Sequence, residues 1–180
     1  MIEDTKEFYD NLYKNGHGLK GFRANNWAMF LKSRIFDIKF DSVLDVGCGN
    51  GLFLEECIKL GKKAHGVDIS EFSLNDASLK SYFTCMDVCN DNLPRGYDLA
   101  VSTDMMEHLP ESKINFAITN ISKSANRLFI IVALYDDNES HITIKPTEWW
   151  TEQFNLVDKN IKFVEQMERK PGKHISIFQR

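Results

Sequence analysis

The chain has 180 residues, 43% of them hydrophobic and 27% charged, which suits one domain with a full core and leaves no room for a second substrate domain of ordinary size. Its net charge of -4 argues against broad, nonspecific nucleic-acid binding. No apolar run approaches the ~20 residues of a membrane span, and residues 1–13 lack the charged-then-apolar pattern of a signal, so a cytoplasmic protein is expected.

Taken in order, the first forty residues read as two helices, 5–13 and 25–36, around a loop at 15–21. Phe8, Leu12, Trp27, Phe30, Leu31 and Phe36 give them an apolar face. That face either packs on the core or closes as a lid over a pocket. His17, Lys20 and Arg23 on the loop are a solvated basic surface or a contact for an anionic group.

Residues 43–51 read Val-Leu-Asp-Val-Gly-Cys-Gly-Asn-Gly, and apolar side chains then recur at helical spacing over 52–60. This is a strand, a tight loop and a helix. Three glycines in five residues suit a backbone that must bend sharply and come close to a ligand. Their spacing, Gly47, Gly49 and Gly51, is G-x-G-x-G rather than the dinucleotide G-x-G-x-x-G, which disfavours an NAD-dependent oxidoreductase. With Asp45 it resembles the first motif of class I S-adenosylmethionine (SAM) dependent methyltransferases, D-x-G-x-G-x-G, at every fixed position.

Gly61 marks a helix end, and 63–67 is a short strand ending in Asp68. A helix is predicted over 70–80 with Ser70 as N-cap, then a strand over 82–86 ending at Asp87. Strand 97–102 leads to a helix opened by Pro110 and Glu111, and 127–134 is an almost wholly apolar strand. A short helix at 147–154 precedes strands 161–167 and 173–178, whose Pro171-Gly172 link is too short for anything but an antiparallel pair. The expectation is an α/β, doubly wound, seven-stranded, mostly parallel sheet with an antiparallel last strand, as the resemblance implies. A single domain is predicted, with 1–40 as helical cover and 41–180 as catalytic core. Cys48, Cys57, Cys85 and Cys89 read as reduced thiols, since no second pair completes a zinc set with Cys85 and Cys89.

Acids at strand ends carry the cofactor reading, because open α/β sheets bind ligands there. Asp68 can accept from both hydroxyls of a ribose. The resemblance implies that Asp68 and Ile69 meet the ribose, and that Asp87 accepts from the adenine amine with Met86 and Val88 beside the ring. It places Gly47, Cys48, Gly49, Gly51 and Thr103 near the methionine part, with Asp45 ordering the glycine loop.

The segment 102–110, Ser-Thr-Asp-Met-Met-Glu-His-Leu-Pro, resembles the turn after strand four that walls the acceptor pocket of small-molecule methyltransferases. His108 is the candidate base, titrating nearest neutrality, with Glu107 beside it. Asp104, Glu107, His108 and His141 also resemble the E-x-x-E-H plus downstream His of small-RNA 2'-O-methyltransferases and ubiquinone-pathway O-methyltransferases, although Asp104 stands where those have Glu. A divalent metal on that set is the alternative to a metal-free site in which Glu107 and His108 cap the next helix and His141 shapes the pocket. Trp149 and Trp150 point about 100° apart on a helix, one to the core and the other to the core or the acceptor.

The resemblance implies transfer of a methyl group from SAM to an oxygen or nitrogen of a small or medium acceptor, leaving S-adenosylhomocysteine (SAH). Two further readings stay open: a metal-assisted RNA 2'-O-methyltransferase, and a non-catalytic SAM-binding protein that needs a partner subunit. A homodimer is the other way a short chain completes its substrate side.

Overall fold

Seven strands form a single sheet in the computed structural model, which describes residues 5–16, 34–35, 37–74 and 77–180. They are β1 (Ser42–Val46), β2 (Lys63–Asp68), β3 (Phe83–Cys85), β4 (Tyr97–Thr103), β5 (Ala125–Ala133), β6 (Lys162–Lys170) and β7 (Lys173–Gln179). The helices are α1 (Thr5–Lys14), α2 (Leu52–Lys59), α3 (Ile114–Ser124) and α4 (Thr147–Val157). Spatial order is β3-β2-β1-β4-β5-β7-β6. β1 to β5 pair in parallel, while β7 runs antiparallel to both β5 and β6, as the short Pro171-Gly172 link requires.

The period of two along β5 splits the interior into two layers. Leu128, Ile130 and Val132 face a core shared with Ile114, Ile118, Ile121, Trp150 and Phe154 of α3 and α4. Phe129, Ile131 and Ala133 face the other, with Leu54 and Cys57 of α2 and with Ile175 and Ile177 of β7. Strand order reverses between β1 and β4, and the crevice outside their carboxyl ends is where such sheets bind ligands.

The helix expected over 70–80 does not form as such. Residues 71–73 turn, and among the described residues only a 3-10 helix, Ala77–Tyr82, follows. Ser70, Ser73 and Ser78 are side chains that compete with helical backbone bonds. Ser70 shows the competition directly: its hydroxyl accepts from Phe72 N at 3.2 Å, closing a local turn instead of capping a helix. Of the predicted helix 25–36, only Arg34 and Ile35 lie among the described residues, and both are helical. His17, Lys20 and Arg23 lie outside them. The four cysteines are free thiols. Among the described residues no helix is long and apolar enough to cross a membrane.

The tryptophan pair divides in one respect as expected. Trp150 is fully buried and packs on Phe154, which packs on Phe178, whereas Trp149 is half-buried with the Lys145 ammonium 5.4 Å from its ring. Replacing a fully buried tryptophan leaves a large cavity, so Trp150→Ala is expected to lower unfolding free energy by about 3–5 kcal/mol. Trp149→Ala is expected to cost clearly less, with urea unfolding curves as the measure.

Candidate active site

The glycine loop is held by β2. Gly47 N and Cys48 N both donate to the Val67 carbonyl, at 2.8 and 3.0 Å, and Gly51 N closes the turn onto Cys48 O. Gly47, Gly49 and Gly51 all take positive φ (77°, 51° and 78°), where a side chain is strained. Space is equally short: a Cβ on Gly47 would sit 2.5 Å from Met105 Cγ, and one on Gly51 would sit 2.7 Å from Leu74.

Asp68, at the end of β2, then braces the loop it faces. One carboxylate oxygen accepts from Gly49 N at 3.0 Å and the other from Ser70 N at 3.0 Å. Each oxygen keeps a second lone pair. Burial pushes Asp68 up to about 6 against the pull of those N–H groups. Asp45 lies deeper in β1, and burial first, then the Asp68 charge, pushes it up to about 7.

A cavity of about 150 Å³ opens in front of these residues. Gly47, Asp68, Ile69, Met86, Asp87, Val88, Asp104 and His108 all line it. Asp45, Cys48, Gly49, Gly51, Thr103, Glu107 and His141 do not form its wall. They sit behind it or shape the loops that make it. Asp87 reaches the wall, yet both of its oxygens serve a local turn, accepting from Cys89 N at 2.8 Å and Asn90 Nδ2 at 2.5 Å.

Helix α1 supplies a wall that carries no motif: Thr5, Tyr9, Leu12 and Tyr13 line the same cavity. It is tied down beside Asp68, because Ser70 Oγ donates to Asp10 at 2.6 Å. A Cβ on Gly49 would lie 3.3 Å from the Tyr13 hydroxyl, and the Tyr9 ring stands edge-on to His108 at 5.9 Å. In the sequence Phe8 and Leu12 belonged to an apolar face read as core packing or a lid, and Tyr9 and Tyr13 were not picked out.

At the far end the chain leaves β4 through Asp104, a non-glycine residue at φ 51°. Arg169, from β6, donates to its carboxylate at 2.7 Å and thereby offsets part of the burial that raises Asp104. Arg169 lies 65 positions away and was not picked out in the sequence. Glu107 is fully buried and turns inward rather than capping the next helix: Oε1 accepts from Ala133 N at 3.1 Å and Oε2 has no partner among the described residues. Burial, then the Asp104 charge, holds its carboxyl well above the ordinary range.

Nor does His108 cap a helix. Its Nδ1 donates to the Ser140 carbonyl at 3.1 Å. His141 Nδ1 donates likewise to Tyr135 O at 2.5 Å, and the two rings meet edge to face at 4.7 Å. Burial, then the neighbouring His141, pushes His108 down to about 4, so its ring is neutral near pH 7. Glu107, His108 and His141 each offer one ligand atom within 4.8 Å of the others. Asp104, the fourth candidate of the alternative metal set, is paired with Arg169. Trp149 and Trp150 are absent from the cavity wall.

The sequence matches the family described as Methyltransferase domain over residues 19–180. The chain belongs to the class I SAM-dependent methyltransferases. Among curated relatives, this methyltransferase chain is 25% identical to ubiquinone biosynthesis O-methyltransferase of Proteus mirabilis, over 83% of this chain and 73% of that one. It is 35% identical to the enzyme of that name from Idiomarina loihiensis, over 39% of this chain and 33% of that one. The chain spans about half or less of most of the curated relatives it matches.

The fold is shared with magnesium protoporphyrin IX methyltransferase of Synechocystis with bound SAM (TM-score 0.67, 17% identity, 98% of this chain and 97% of that one). It is shared as well with the 1,6-didemethyltoxoflavin-N1-methyltransferase of Burkholderia thailandensis with its substrate and SAH (TM-score 0.74, 14% identity, 97% and 85%).

A carboxyl whose folded pKa is raised binds extra protons in the native state, so its ionisation costs stability as pH rises. For Asp45 that window runs from the ordinary carboxylate range up through about 7. Asp45→Asn cannot ionise. Relative to wild type it is expected to gain about 2 kcal/mol of stability between pH 5 and pH 8, measured by urea unfolding at both values.

Proposed function

We propose that this chain transfers the methyl group of SAM to an oxygen or nitrogen of a small or medium acceptor. The observation that carries the proposal is one continuous cavity, walled by Asp68, Met86 and Val88 at one end and by Met105 and His108 at the other. A cofactor carboxylate and a neutral imidazole face the same space. Bound SAM supplies a sulfonium that gives up its methyl group readily; the chain's own residues do the rest. Asp68 accepts from the ribose hydroxyls through its remaining lone pairs, Met86 and Val88 flank the adenine, and Gly47 leaves room for the methionine part. The Asp87 side chain is held by its own turn and contributes to adenine only through what that turn leaves free.

On the acceptor side His108 Nε2 is the proton-accepting nitrogen, since Nδ1 is committed to Ser140 O. It takes the acceptor's proton as the acceptor lone pair attacks the methyl carbon and the carbon–sulfur pair returns to sulfur, leaving SAH. Glu107 backs this turn from behind, and α1 covers the cavity as a lid. The relatives named for ubiquinone biosynthesis favour oxygen as acceptor atom, and the 1,6-didemethyltoxoflavin complex favours a small molecule.

A second reading is favoured by one observation: both imidazoles spend Nδ1 on backbone carbonyls, the arrangement that leaves Nε2 for a metal, next to a buried Glu107 oxygen with no partner among the described residues. The residues fit a divalent cation held by Glu107, His108 and His141, which would act as a Lewis acid on an acceptor hydroxyl.

SAH release over a panel of hydroxylated aromatic compounds and amines tests the proposal. Wild type is expected to turn over at least one, and His108→Gln to lose about 10²-fold in kcat with SAH affinity kept within a few-fold. Turnover of none, with SAH bound, would leave only a SAM-binding protein. Activity abolished by EDTA and restored by a divalent cation decides for the metal-assisted form; full activity in EDTA decides against it.

A further inference from the structure

Each imidazole of the acceptor side meets a backbone carbonyl at Nδ1, so whatever fixes that carbonyl helps to fix the ring. His108 depends on Ser140 O and His141 on Tyr135 O, both in the loop that follows β5. A carbonyl only accepts, which puts a proton on Nδ1 of each ring and, in the neutral His108, the lone pair on Nε2. The loop has no regular structure from 136 to 140, and Asn138 sits at φ 63°. Left to itself such a segment would sample many positions of the Ser140 carbonyl.

One carboxylate gathers it. Asp137 Oδ1 accepts from Glu139 N at 3.1 Å, Ser140 N at 2.8 Å and His141 N at 2.8 Å. Asp137 Oδ2 accepts from the Ser140 hydroxyl at 2.6 Å. Four hydrogen bonds to one side chain fold 137–141 into a tight turn, with Asp136 bracing it through Asn138 N at 2.7 Å. The same Oδ2 lies 3.8 Å from His141 Nε2, which stands 3.9 Å from Glu107 Oε1 on its other side. Asp137 thus touches Ser140, whose carbonyl meets His108, and His141 itself, without lining the cavity.

We infer that Asp137 is the positioning residue of the acceptor side: by gathering the N–H groups of residues 139–141 it presents the Ser140 carbonyl to His108 and locks that imidazole with Nδ1 protonated and the lone pair on Nε2. The inference rests on the reading of His108 as an acceptor-side group, whether Nε2 takes a proton or a metal. It goes beyond that reading by naming what prepares it. An ordinary loop staple would hold the chain without selecting a tautomer.

The test is two-bond proton–nitrogen correlation NMR of the full chain labelled at histidine, with His108→Gln and His141→Gln to assign the two rings. Wild type is expected to show the Nδ1–H pattern at His108. Asp137→Ala is expected to lose it, the ring moving to a mixture of tautomers, while Asp137→Asn keeps it because its amide oxygen still accepts the three N–H groups. Calorimetric SAH binding, which reads the distant Asp68 end, reports whether each variant is folded. If Asp137→Ala fails that check, Asp137→Ser, which retains one short acceptor, is read by the same criterion. An unchanged Nδ1–H pattern at His108 in a folded alanine or serine variant would overturn the inference. Wild type that binds no SAH but shows the locked tautomer would instead overturn the functional reading and leave this one standing.

Discussion

One carbonyl oxygen, that of Val67, holds the cofactor end together. It accepts from two successive N–H groups of the glycine loop, Gly47 and Cys48, and so draws the end of β1 across the end of β2. The pairing brings Cys48 onto Gly66, where a Cβ would lie 2.8 Å from the thiol sulfur. It also places Gly49 N within reach of the next carboxylate, Asp68. The two motifs, Asp-x-Gly-x-Gly-x-Gly and Gly-Val-Asp, are therefore halves of one structure. Backbone donors that would otherwise be unpaired at the mouth of a parallel sheet are satisfied by a neighbouring strand, leaving the cavity open in front of them.

The end of the cavity around His108, proposed to take the acceptor, is organised differently, by long-range ties converging on a single short turn. Arg169 reaches in from β6 to Asp104. The Glu107 carbonyl accepts from Ile142 N and Thr143 N at 3.0 and 2.9 Å, stitching the turn after β4 to the segment before α4. The Glu107 side chain adds a bond to the end of β5. Three strands and two loops thus meet around His108. Burial keeps the imidazole neutral and the Glu107 carboxyl above its ordinary range, which limits the uncompensated charge in this largely buried turn.

What was legible in the sequence follows from this contrast. The sheet plan, the glycine loop and the acids at strand ends are written locally, as apolar runs, turn glycines and single carboxylates at the places where strands stop. The antiparallel final pair was readable because a Pro-Gly link excludes a crossover. Helix 70–80 misled because Ser70, read as its N-cap, closes a local turn instead, in a stretch dense in serine, asparagine and aspartate. Asp87 looked free for a ligand because its own turn partners, Cys89 and Asn90, carry no motif. Arg169 and Asp137 were invisible for another reason: Arg169 acts 65 positions away on Asp104, and Asp137 acts on backbone groups that every residue possesses.

The central claim is that one cavity seats the donor with its reactive end against His108. A crystal structure of the SAH complex measures this most directly. The account predicts the ribose hydroxyls on Asp68, the adenine between Met86 and Val88, and the sulfur beside Met105 with open space between it and His108. An SAH whose ribose lies away from Asp68, or whose sulfur points away from the Met105–His108 turn, would contradict it.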